Sequence, residues 1–337
     1  MSFDNFVEKI VFDLQSYFGD SVKVISKKVR KNNGLVLTGI SVTSESSNIS
    51  PTIYLEHIYA KYEKGVVYAQ IVKEIIDIFE KNDQKRNFDM EFFTKFENIK
   101  SRIVYKLINL NKNADLLEEI PYIKYLDMAI VFYYLLSNEF TENELAEKMC
   151  NASILIYNTH LQMWDVTTDD LYEAAKENSP VLLPAKCVHI CDILKETFMR
   201  KLENEESEDE CEKNISDDKK QEMVDDMFNT MFRDSSQMQM YVITNNVNYF
   251  GAAAILYKDV LKKFAEKHNC DFYILPSSVH EVIAVGRDTC PGEKELCNMV
   301  SEVNRTQLEY DEILSDSVYY YDYRENKLSL CESPVEV

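Results

Sequence analysis

Apolar residues recur at Phe3, Phe6, Val7, Ile10, Val11, Leu14, Tyr17 and Phe18, the spacing of one helical face, and Ser2 and Gly19 bracket the run as cap and stop. Period-two runs follow at Val22 to Val29 and Leu35 to Val42. They flank Lys31-Asn32-Asn33-Gly34, whose Asn-Gly step supplies the positive φ angles of a tight hairpin. Pro51-Thr52-Ile53-Tyr54 is extended and leads into a Tyr- and Glu-rich helix that stops at Gly65, and Ile71, Val72, Ile75, Ile76 and Phe79 line the next helix. Residues 102–108, 129–136 and 152–157 are β-branched and aromatic. Their connections are too short or irregular for parallel crossovers, so a three-stranded antiparallel sheet is expected.

A helix capped at Thr167 or Thr168 is expected to end at Asn178-Ser179-Pro180. The C-terminal half is organised around residues 240–287, which read strand, helix, strand, turn, strand. The helix is marked by Ile255, Leu256, Val260, Leu261, Phe264 and Ala265, and the turn by Pro276 to Glu281. A further helix spans 292–306, and strands are expected at 318–323 and 328–330. Residues 153–178 and 240–269 share a strand, turn and helix with an Asn after the strand, Asn158 and Asn245. A pseudo-repeat in one common sheet and coincidence both account for this.

The pattern breaks at 203–220, where Glu203, Glu205, Glu206, Glu208, Asp209, Glu210 and Glu212 repel one another and predict a solvated linker. Behind it, Met223, Met227 and Met231 form an adaptable stripe with Val224, Phe228 and Phe232. The fold expected is therefore α+β, with a mixed or antiparallel sheet and packed helices. It has two halves, 1–202 and 221–331, joined by an acidic linker at 203–220.

Composition narrows the function classes. With 45% hydrophobic and 12% aromatic residues in 337, the chain buries a sizeable core and is not disordered as a whole. No apolar run approaches the roughly 18–20 residues of a membrane helix, and no export signal precedes the first helix, so a cytoplasmic protein with reduced thiols is expected. A net charge of −21 argues against direct binding to nucleic acid. The one concentration of positive charge is the hairpin, with Lys23, Lys27, Lys28, Arg30 and Lys31. Lysines protecting a sheet edge are the first reading of it and an anion-binding ribbon the second.

Candidate chemistry is sparse. None of the seven glycines falls in a Gly-x-Gly or Walker spacing, which excludes phosphate-binding loops. Cys187, His189 and Cys191, read on a helix, diverge too far to share a metal, and neither a metal nor a cofactor is expected. The densest set of proton-transferring groups is Ser277, Ser278, His280 and Glu281, for which turn stabilisation is favoured over catalysis. Any small-molecule site is expected to be bordered by these four with Asn245 opposite, and Asn158 and His160, past another strand end, are further pocket candidates.

Tyr105-Lys106-Leu107-Ile108-Asn109, the run Ala129 to Leu135, the stretch Trp164 to Asn178 with its Leu183-Pro184 exit, and Leu275-Pro276-Ser277-Ser278-Val279-His280-Glu281-Val282 together resemble domain-of-unknown-function family 5688. The resemblance spans nearly the whole chain and implies an uncharacterised bacterial protein, with no catalytic or binding residues to carry over. The lack of a recognisable metal, phosphate or nucleophile motif, the strong acidity, and an acidic segment beside a Met-rich helix lead to the expectation of a non-catalytic interaction or regulatory protein with a protein partner. The rivals are a hydrolase using the Ser277 to Glu281 turn and an acidic nucleic-acid mimic that inhibits a host protein.

Overall fold

The computed structural model describes residues 1–44, 52–82, 89–136, 153–205, 224, 239–276 and 278–331. The chain divides into two compact units, residues 1–99 with 162–165, and residues 100–161 with 166–337. The expected linker at 203–220 falls inside the second unit, and its residues 206–220 lie outside the described residues, as does all of the methionine stripe except Val224.

In the first unit, helix α1 (Phe3–Phe18) buries Phe6, Val7, Ile10 and Leu14. It starts where the Ser2 hydroxyl accepts from the Asn5 N–H and stops at Gly19, whose φ of 74° suits glycine. Strands β1 (Val22–Arg30) and β2 (Val36–Ser44) pair antiparallel from Val22↔Ser44 to Arg30↔Val36. The hairpin turns through positive φ at Asn33 (57°) and Gly34 (74°), as the Asn-Gly step predicts. Strand β3 (Ile53–Tyr54) adds to β2, and α2 (Leu55–Glu63) and α3 (Tyr68–Asn82) follow. Ile40, Leu55, Ile71 and Ile75 complete a core with the buried face of α1, each contributing about 1.5–3 kcal/mol by leaving water. Two short helices, α4 (Met90–Phe93) and α5 (Phe96–Ile99), end the segment. The Trp164 indole donates to the Phe93 carbonyl at 2.8 Å.

The second unit holds two antiparallel sheets. In the smaller, β4 (Ile103–Asn109) leads through α6 (Ala114–Leu117) to β5 (Tyr122–Tyr125), β6 (Met128–Leu135) and β7 (Ser153–Leu155). β4 pairs along one edge of β6, while β5 and β7 lie end to end along the other. Every residue of β6 is buried, which its unbroken apolar run requires. The four-residue β5 is an addition to the three expected strands.

After α7 (Asn158–Trp164), helix α8 (Thr168–Leu182) begins with a capping box between Thr167 and Asp170. It continues past the expected stop at Asn178. Pro180 sits in its last turn, and the Asn178 amide donates to the carbonyls of Lys100 and Ile103 rather than ending the helix.

The larger sheet comprises β8 (Ala185–His189), β9 (Met240–Asn245), β10 (Phe272–Leu275), β11 (Val282–Gly286), β12 (Tyr319–Asp322) and β13 (Lys327–Leu330). They are ordered β13-β12-β10-β11-β9-β8. Between them run helices 9 (Ile190–Glu205), 10 (Val260–His268) and 11 (Glu293–Thr306). Helix 11 packs Leu296 and Val300 against Tyr273, Leu275 and Val285, while Phe264 of helix 10 meets Phe272 at 4.8 Å, so the two helices serve alternate residues of β10.

Cys187 and His189 therefore lie on a strand and not on a helix. β8 forms by pairing with β9 more than fifty residues on, which no local periodicity reveals. Of the two readings of Asn158 and Asn245, the common sheet does not hold, since β7 belongs to the smaller sheet and β9 to the larger. The fold is α+β with antiparallel sheets and packed helices.

Candidate functional site

The end of β9 and the β10–β11 turn meet at one place in the second unit. Ser278 closes the turn on itself: its N–H donates to the Glu281 carbonyl (3.2 Å), its hydroxyl accepts from the His280 N–H (3.0 Å), and the same hydroxyl donates to Glu281 Oε1 (3.1 Å). The turn is tied down from outside by the Val279 N–H to the Glu312 carbonyl (2.8 Å) and by the Thr244 hydroxyl to the His280 carbonyl (2.8 Å).

Asn245, fully buried, is the second organiser. Its Oδ1 accepts from the N–H groups of Val247 (3.1 Å) and Tyr249 (3.4 Å), and its Nδ2 donates to the Tyr249 carbonyl (2.9 Å). One amide thus shapes the whole loop 246–250. Phe250 ends that loop at φ 52°, a left-handed conformation that costs a bulky residue about 1–3 kcal/mol and persists only where neighbours fix it. They do so here: the Phe250 N–H donates to His280 Nδ1 (3.2 Å), the Phe250 and His280 rings stack at 9°, the Tyr249 ring lies 4.0 Å away, and the Lys106 ammonium sits 4.0 Å over the Phe250 ring. Gly251 follows because a Cβ there would lie 2.1 Å from Thr244 Oγ1 and 2.6 Å from the His280 carbonyl oxygen.

The loop rests on the smaller sheet, where Val104, Tyr133 and Leu135 pack with Val247, Tyr249 and Phe250. The Tyr133 hydroxyl is buried there without a hydrogen-bond partner among the described residues, and burial raises its pKa.

Burial and neighbouring charges shift the titrating groups. Because Nδ1 of His280 accepts a backbone N–H, the ring proton is assigned to Nε2, which lies 3.7 Å from Glu312 Oε1. Burial first and the Lys106 charge second push His280 down to about 4, against an opposing pull from Asp311. Burial raises Glu281, helped by Glu312 and opposed by the Ser278 hydroxyl, and it raises Glu312 as well. At neutral pH the imidazole is uncharged and its lone pair is engaged. The Ser278 hydroxyl, in a residue only 2% exposed, is already committed to Glu281.

The structure thus brings Ser278, His280, Glu281 and Asn245 together; Ser277 lies outside the described residues. Asn158 and His160 stand at the start of α7. There the Asn158 amide donates to the Glu118 carbonyl and His160 Nδ1 accepts from the Tyr157 N–H. Among the described residues, no group of three or more His, Cys, Asp or Glu is placed to hold a metal ion, and no helix is long and apolar enough to cross a membrane.

Sequence reasoning missed a second cluster. Asp127, in the turn before β6, accepts from the hydroxyls of Ser315 (2.6 Å), Ser317 (2.9 Å) and Tyr319. Asn109 of β4 donates to the Leu314 carbonyl and Asn304 of helix 11 to the Ser315 carbonyl, so the approach to β12 is fastened to the smaller sheet and to helix 11. The signal available was three hydroxyl residues at i, i+2 and i+4, one face of an extended segment.

A family model described as a family of unknown function, DUF5688, matches residues 3–323. No curated protein and no solved structure matches the chain.

Proposed function

Because the chain belongs to DUF5688, whose description carries no activity, we propose from its own geometry that it is a non-catalytic interaction or regulatory protein acting in the cytoplasm through a protein partner. The observation that carries this reading is the internal use of every proton-transferring group in the 278–281 turn. A nucleophile needs a base within reach and a hydrogen to give it. Here Ser278 has Glu281 within reach but is closed off from solvent, and the lone pair of His280, the other base of the turn, is taken by the Phe250 N–H.

What the same groups do is hold a strained loop that presents the partly exposed Tyr249 and Phe250 rings beside Lys106. Rigid aromatic and cationic side chains on a fixed loop have the character of a binding hot spot. The test compares the partner retained by the wild-type chain with that retained by Tyr249→Ala and Lys106→Glu chains. Stoichiometric retention lost in both variants, with the fold intact by circular dichroism, supports the reading. A hydrolytic activity of the purified chain that disappears in Ser278→Ala overturns it.

A further inference from the structure

The larger sheet begins at β8, which pairs with β9 and with no other described strand. The Asn246 N–H donates to the Pro184 carbonyl (3.0 Å), so the ladder to β9 alternates through Pro184, Lys186 and Val188. The N–H and C=O groups of Ala185 and Cys187, and the N–H of His189, therefore point away from β9. Among the described residues nothing bonds to these groups, and Cys191 is served by the His189 ring rather than by its backbone. Ala185, Lys186 and Cys187 are exposed, and Val188 and His189 are half-buried.

The surroundings of this edge are positive on both faces. Cys187 and His189 share a face with Tyr241, against which helix 10 sets Phe264 (5.2 Å) and His268 (4.5 Å). Burial raises the Cys187 thiol, and the charge of Lys267 on helix 10 pulls against it, which places that ammonium beside the strand. Lys263 lies one helical turn before Lys267 on the same side, and Lys186 stands on the opposite face of the sheet. All three lysines are exposed and have no carboxylate partner among the described residues, while the exposed Glu266 and Asp192 limit the patch. In a chain of net charge −21 the sign is locally reversed. A lysine on the strand itself guards an edge. Lys263 and Lys267 lie off the strand, where they charge the space beside the edge and leave the edge accessible.

We propose that the edge of β8 receives an extended acidic segment of a protein partner as an added strand. Carboxylates on one side of the segment meet Lys186, those on the other meet Lys263 and Lys267, and an apolar residue packs beside Val188. Backbone bonds to Ala185, Cys187 and His189 hold the segment, and the charges select it. The edge is short, so the charges carry much of the affinity and binding weakens with salt. The proposal does not depend on what the 246–250 loop binds.

The probe is a fluorescein-labelled peptide, Thr-Glu-Val-Glu-Val-Glu, titrated with the full chain and followed by anisotropy at low and physiological salt. Saturable binding is expected, weakened by about tenfold or more in the Lys186→Glu, Lys267→Glu double variant and unchanged in Tyr249→Ala. It should be lost when the Glu residues of the peptide are replaced by Lys, or when its alternate backbone nitrogens are methylated. Bound peptide should also slow alkylation of Cys187 by iodoacetamide, read by mass spectrometry against the other cysteines. Both substituted lysines are exposed, and circular dichroism of the variant checks that the fold is intact. Absence of binding overturns the proposal. So does binding that survives the double variant or the methylated backbone, or that leaves Cys187 alkylation unchanged at saturation. Equal competition by heparin or duplex DNA overturns it as well, by marking a general polyanion patch, and so does a stable dimer in light scattering that shields Cys187 without peptide, by giving the edge to a second copy of the chain.

Discussion

In the 278–281 turn Ser278 takes all its partners from two or three residues away, whereas Asp127 collects hydroxyls from 188, 190 and 192 residues along the chain. Both are clusters of carboxylate and hydroxyl groups in the same unit. The first shapes a loop and displays it; the second fastens one sheet to the segment that enters the other. The difference teaches that density of reactive residue types in a short stretch marks a turn that closes on Ser278 and shapes the loop beside it. The network that spans the fold is scattered through the sequence.

Gly251→Ala should break the local side of this comparison most severely. Its Cβ would meet Thr244 Oγ1 and two backbone atoms at 2.6 Å or less, so a loss of about 4 kcal/mol in urea unfolding is expected, with the Asp127 cluster unchanged by crystallography. A loss under about 1 kcal/mol would mean that the loop relaxes freely.

Acid should act next, through His280. Its ordinary value is 6.5 and its folded value is about 4, so between those values the unfolded chain takes up the proton first. The stability this residue contributes is complete above about 6.5 and is lost as pH falls toward 4, by an amount on the order of 3 kcal/mol. Glu281 and Glu312, whose carboxyl values are raised, move the other way in part of that window. The difference between wild type and His280→Gln in urea unfolding at several pH values isolates the histidine. A pH-independent difference would refute the assignment. Protonation at Nδ1 also removes the acceptor for the Phe250 N–H, so the protection of that amide against exchange, taken relative to its intrinsic rate at each pH, should fall as pH drops to about 4 and below.

The smallest effect is expected on the long-range side. Asp127→Asn keeps shape and removes charge, replacing one acceptor of two hydroxyls with a donor, and should cost about 2 kcal/mol. Combined with Ser278→Ala, the losses should add within about 0.5 kcal/mol if the two clusters are independent. A larger coupling energy would show that the turn and the Asp127 fastening respond to one another.

Much of this fold is legible in the sequence, for identifiable reasons. The face of α1 and the Asn33-Gly34 hairpin are local, as is the strand, helix, strand order from Met240 to Gly286, and each follows from periodicity or backbone preference. β8 is not legible as a strand because its hydrogen bonds go to a strand far along the chain. α8 outran its apparent stop because the Asn178 side chain serves the Lys100 and Ile103 carbonyls, a tertiary use invisible in the tripeptide Asn178-Ser179-Pro180. In the site, Asn245 and His280 were found because each stands beside a strand end. Phe250, Gly251 and Lys106 were not, because their roles come from a strained loop and from the opposite sheet.

The strand order of the larger sheet has a consequence for how the chain is made. Read from one edge, the sheet runs β8, β9, β11, β10, β12, β13, so a chain emerging from the ribosome lays its strands down almost in the order of synthesis, with a single exchange. When β10 emerges, its place beside β9 is reserved for β11, and it has no neighbour until the next strand follows. The direct route is for β10 and β11 to close as a hairpin and dock on β9 as a pair, the pairings found in the finished sheet. That docking step is also what carries the His280 carbonyl to Thr244 and the imidazole to the Phe250 amide. The displayed loop is therefore shaped late in the birth of the protein, by a hairpin whose turn had already folded upon itself.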